Sequence, residues 1–115
     1  MATTYKVLGQ AVPAATTAAG AASSLTTLYA PSGVSAVLST ITICNQTTSA
    51  VTYRVSVRVA GAADTPKQYV AYDISLPATA TDTLTLGMTL ATTDIVSIAA
   101  SSTSVAFQAF GSEIA

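Results

Sequence analysis

Histidine and tryptophan are absent from this 115-residue chain, and cysteine occurs once. Without histidine there is no His-based metal site, and no Ser-His-Asp or Cys-His nucleophilic apparatus. A single cysteine forbids a disulfide within the chain. Charge is scarce too: four basic and five acidic residues make up 8% of positions, against about 25% in an average protein. A net charge of −1 supplies neither the basic patch that nucleic acid binding calls for nor a polybasic segment for an anionic membrane. No run approaches the ~18 consecutive apolar residues of a membrane-spanning helix. Met1-Ala2-Thr3-Thr4-Tyr5-Lys6 lacks the charged and apolar regions of a secretory signal, so a cytoplasmic product that stays in solution is expected.

What is present is mostly small. Ala, Thr and Ser number 23, 20 and 13, whereas Val, Leu, Ile, Met and Phe together number 29. The length suits one domain with one modest core. A folded chain of this mass exposes roughly 5,800 Å². Nine charges over that area fall short of the ~25–35% charged surface that keeps small domains soluble. The expectation is that other subunits cover much of the surface.

The clearest periodicity runs from Val51 to Ala60, where Tyr53, Val55, Val57 and Val59 alternate with Thr52, Arg54, Ser56 and Arg58. A period of two predicts a strand with one buried face and one wet or partner-facing face. Thr and Val, which favour pleated backbone, predict further strands near Tyr5–Val12, Leu25–Ala30, Val34–Cys44, Gln68–Ser75, Thr81–Gly87, Asp94–Ala100 and Ser104–Gly111. Turn residues separate them, notably Pro31-Ser32-Gly33, Asn45-Gln46-Thr47, Gly61 to Pro66, and Pro77. About eight short antiparallel strands predict an all-β domain, a β-sandwich or jelly roll. Residues 11–24, small side chains with one Pro and one Gly, read as a loop, or as an arm ordered against a neighbouring subunit.

Few residues point to chemistry, and no catalytic, cofactor or metal site is expected. Asp64 lies in a loop, and Asp82 and Asp94 head strands, where a carboxylate accepts backbone N–H bonds in an Asx-type turn. Calcium needs 6–8 oxygen ligands, and four Asp and one Glu spread through the chain supply them poorly. Asp73 sits inside a strand pattern, which favours an ion pair or capping bond with Arg54, Arg58 or Lys67 over general acid–base catalysis. The six glycines are isolated, so no phosphate cradle forms. Cys44 reads as a buried small hydrophobe. The five tyrosines fall mostly in core-like alternation, with a carbohydrate platform as the alternative. Arg54 and Arg58, four apart on one strand, share a face about 13 Å apart. Two of the four cations on one face point to an interface, where Arg is favoured for carboxylate pairing.

Several strings resemble small virion structural proteins of tailed bacteriophages, particularly those of cyanobacterial and marine hosts. They are Tyr5-Lys6-Val7-Leu8-Gly9-Gln10, Leu28-Tyr29-Ala30-Pro31-Ser32-Gly33 and Ser39-Thr40-Ile41-Thr42-Ile43-Cys44-Asn45. Tyr53-Arg54-Val55-Ser56-Val57-Arg58 and Lys67-Gln68-Tyr69-Val70-Ala71-Tyr72-Asp73 continue the likeness. Asp82-Thr83-Leu84-Thr85-Leu86-Gly87 and Phe110-Gly111-Ser112-Glu113-Ile114 close it. The likeness spans nearly the whole chain except 11–24. It implies a β-rich, non-enzymatic virion component: a capsid decoration (cement) subunit, or a neck or tail subunit. Its partners would be major capsid or neck and tail proteins and further copies of itself, with no direct nucleic acid or membrane contact. A receptor- or glycan-binding fibre module is the alternative from another functional class.

Overall fold

Thr, Val and Ile fill most of the long segments, and branching at Cβ favours extended backbone there. A computed structural model of the chain describes residues 3–13, 25–63 and 65–114. Among the described residues eight strands form: β1 (Thr3–Ala11), β2 (Thr26–Tyr29), β3 (Ser35–Asn45), β4 (Val51–Arg58), β5 (Tyr69–Leu76), β6 (Thr81–Leu90), β7 (Ile95–Ala100) and β8 (Val105–Ile114). Short 3₁₀ turns at Val59–Gly61 and Pro66–Gln68 follow β4 and precede β5. Most of the expected arm, 14–24, and Asp64 lie outside the described residues.

The strands make two four-stranded antiparallel sheets, sheet A in the order β1-β8-β3-β6 and sheet B in the order β2-β7-β4-β5. First pairs with last, second with seventh, third with sixth and fourth with fifth. That is one long hairpin rolled up on itself, the strand order of a jelly roll. Between the sheets, Leu38, Ile41, Ile43 and Phe107 of sheet A meet Tyr53, Val55, Val96 and Ile98 of sheet B. Tyr53 and Phe107 pack edge to face, with centroids 6.2 Å apart and planes at 76°, a favoured aromatic geometry.

Two strands run past glycines at which the sequence pattern stops them. β6 continues beyond Gly87 to Leu90 and β8 beyond Gly111 to Ile114. Gly87 has φ +61° and sits in a bulge, where Leu86 and Gly87 oppose Ser39 alone. A left-handed glycine absorbs an extra residue without ending the ladder.

β4 differs from its predicted half-wet pattern. Arg54 and Ser56, expected on the open face, are buried together with Tyr53 and Val55. The cause lies on β5, which uses Tyr69–Leu76 to oppose the shorter run Val51–Ser56. One extra residue is Val70, and a second bulge sets both Tyr72 and Asp73 against Arg54. Asp73 takes φ +51° there, and the two side chains close over the arginine.

Candidate functional site

The bulge in β5 builds a polar cluster on the outer side of sheet B. Arg54 Nε donates to Asp73 Oδ1 at 2.6 Å, and a second guanidinium N–H donates to Oδ2 at 3.1 Å. The guanidinium carbon lies 4.2 Å from the Tyr72 ring centroid and 5.9 Å from that of Tyr69. The two rings meet edge to face at 5.0 Å. A fork-on-carboxylate pair capped by aromatic faces is the environment that suits a buried arginine. Hydrogen bonding to Arg54 holds the Asp73 carboxyl below the usual carboxylate range, and the same bond raises Arg54. Asp73 therefore makes the ion pair that the sequence suggested, with Arg54 rather than Arg58 or Lys67.

Arg54 and Arg58 do share the outer face of sheet B, opposite Ala99 and Ile95 of β7. Their situations differ. The Arg54 side chain is 2% exposed, so a partner reaches its guanidinium only if Tyr72 moves. Arg58 is half-buried and donates from Nε to Ser97 Oγ at 3.2 Å. Between them Ser56 Oγ is buried without a hydrogen-bond partner.

Three further carboxylates are engaged within the fold. Glu113 accepts from Tyr29 OH of the opposite sheet and pairs with Lys6 at 2.8 Å. Those two bonds, Lys6 first, lower its pKa. Asp82 accepts from Tyr53 OH at 2.9 Å, so its partner is a core tyrosine, not the backbone of an Asx-type turn. Burial, reinforced by the carboxylate each one serves, raises both Tyr29 and Tyr53. Asp94 behaves as its strand-head position predicts, taking Ala91 N–H and Ala60 N–H on its two oxygens. These backbone donors depress its pKa. Cys44 is half-buried on the outer face of sheet A instead of lying in the core.

The roles of Tyr29 and Tyr53 are what sequence reasoning missed. Their alternation marks them as core, but nothing local says which carboxylate each hydroxyl reaches. Among the described residues no three His, Cys, Asp or Glu side chains come together as a metal site. An open groove of about 450 Å³, near the start of β3 and the ends of β6 and β8, has Asp94 on its wall. Both oxygens of that carboxylate are already engaged. No protein-family model, curated protein or solved structure matches the chain.

Proposed function

We propose that the chain is a structural subunit of a tailed-bacteriophage virion, a capsid decoration (cement) subunit that stabilises the shell through contacts between subunits. The observation that carries this reading is the use made of its acidic groups. Every described carboxylate is engaged inside the molecule, by Arg54, by Lys6 and Tyr29, by Tyr53, or by backbone N–H groups. Such a chain keeps its carboxylates for its own fold and leaves a mostly neutral surface, with Arg58 among its few cations, for neighbours. The phage-like strings support the same reading. So does the jelly roll, an architecture used for viral shells as well as for lectins and cupins, although fold alone assigns no function.

The test is to find the chain in particles. An antibody to it, applied to gradient-purified phage from a culture that makes the chain, should label the particle surface. Hundreds of copies per particle would mark a decoration subunit, and tens or fewer a neck or tail subunit. A chain abundant in the lysate and missing from the particles overturns the proposal. In a shell contact Arg58 is the better placed arginine, and Arg58→Ala should weaken binding to particles while leaving the melting temperature nearly unchanged.

One observation favours the fibre-module reading as an alternative. Tyr72 is 51% exposed beside the Asp73 carboxylate, the kind of aromatic and polar pairing a sugar ring can use. Binding on a glycan array, abolished by Tyr72→Ala, would support it; silence across the array would count against it.

A further inference from the structure

Sheet A carries its charges on the side where they are least expected. An antiparallel sheet with one face on the core normally turns charged and polar residues outward. Here Lys6 aligns through Gly111 with buried Leu38, Glu113 aligns with buried Ala36, and Asp82 aligns with buried Ile43. All three therefore point toward sheet B, where Tyr29 and Tyr53 meet the two carboxylates. Among the described residues the outer face carries no charged side chain. Its outward positions include Tyr5 and Val7 on β1, Phe110 and Ile114 on β8, and Val37 on β3. Threonines fill the outward positions of β6. Tyr5 is 84% exposed and Val7 48%.

We infer that this face is where two copies of the chain pack, sheet against sheet, about a two-fold axis. Charge complementarity selects the occupant: a face with no charge offers nothing to a charged partner and repels no copy of itself. A two-fold contact requires just such self-complementarity. Size agrees as well. Four strands of about ten residues, spaced ~4.8 Å and rising ~3.4 Å per residue, make a face of about 19 by 34 Å. With its corrugation, that approaches the ~800 Å² per partner of a standard interface. Two such sheets pack about 10 Å apart, as in a sandwich core.

Edge-to-edge pairing is the competing geometry, and the edges are guarded against it. Lys6 on β1 and Asp82 on β6 are inward-pointing charges on edge strands, a recognised obstacle to adding another strand. β5 is broken by two bulges, and β2 has four residues. Packing through a face remains, and of the two outer faces that of sheet B carries Arg54, Arg58 and Asp73. This inference does not depend on the virion reading: it concerns the purified chain alone, and either one can fail without the other.

Sedimentation equilibrium of the purified chain is the test, over about 1–200 µM, which resolves a Kd near ~10 µM. The wild-type chain should give twice its 11.5 kDa mass at the upper end. Thr42 is central on the face, between Gln108 and Thr83. Thr42→Lys should weaken association by about 30-fold or more, because it buries an unpaired charge at the middle of the contact. Thr83→Lys, at an exposed position of the edge strand, should act in the same direction and guards against a folding defect at Thr42. Ser75→Lys, on the outer face of sheet B, should leave the dimer intact. Circular dichroism confirms that each variant is folded. A wild-type monomer throughout the range, normal dimers in both face variants, or equal weakening by Ser75→Lys overturns the inference.

Discussion

Arg54 and Asp73 separate the cost of losing a pair from the cost of leaving one charge behind. Asp73→Ala leaves a guanidinium buried under two tyrosines without its carboxylate. It should lower stability by about 3 kcal/mol, the low end of the range for a broken buried pair, since Asp73 is itself partly open. Arg54→Met removes the charge and keeps much of the volume, so its loss should be the smaller of the two. Urea midpoints at constant slope read both. Ser56→Ala deletes a buried hydroxyl with no partner and should be neutral or stabilising by up to about 1 kcal/mol. The alternation of β4 states correctly that Arg54 and Arg58 share a side. It says nothing of what lies over them, because Tyr69 and Tyr72 arrive from the next strand through bulges that follow no local rule.

At the scale of elements, the turn after β3 and the glycine in β8 carry the geometry. Asn45 is buried, and its Nδ2 donates toward the carbonyls of Ser49, Pro77 and Leu76. Its Oδ1 accepts from Thr47 N–H and Oγ1. One side chain thus ties the β3–β4 turn to the end of β5. Asn45→Ala should cost about 2–3 kcal/mol in thermal or urea unfolding, several buried groups being orphaned at once. A Cβ added at Gly111 would lie 2.0 Å from Val37 O. Gly111→Ala must therefore spread β3 from β8, with an expected loss of about 2–3 kcal/mol by the same measurement. Strand positions were legible from branched side chains and turn residues, whereas glycines misled. Gly87 and Gly111 resemble stops in the sequence, yet one supplies a bulge and the other a close approach between backbones.

For the whole molecule, the carboxylates and tyrosines set the pH limits. Asp73, Asp94 and Glu113 are lowered in the fold, so the unfolded chain takes up protons first on acidification. Their contribution is complete above the ordinary carboxylate range and disappears as pH falls below about 4. Tyr29 and Tyr53 are raised, so the unfolded chain releases their protons first, and that contribution is lost as pH climbs above about 10. The urea midpoint should thus hold a plateau between these limits and fall on both sides. A midpoint that rose on acidification below pH ~4 would contradict the assigned carboxylate partners.

Composition and period were enough for the class of this protein: eight strands, one modest core, hardly any charge and no histidine chemistry. Those properties are local, since branching at Cβ, alternation and turn residues act over a few positions. The jelly-roll order, the arginine closed under Tyr72 and the inward aim of Lys6, Asp82 and Glu113 depend on which strands become neighbours. Pairing first with last and third with sixth joins residues as far apart as Thr3 and Ile114. A bulge of one residue then decides which side chains share a face, as where Tyr72 and Asp73 together oppose Arg54.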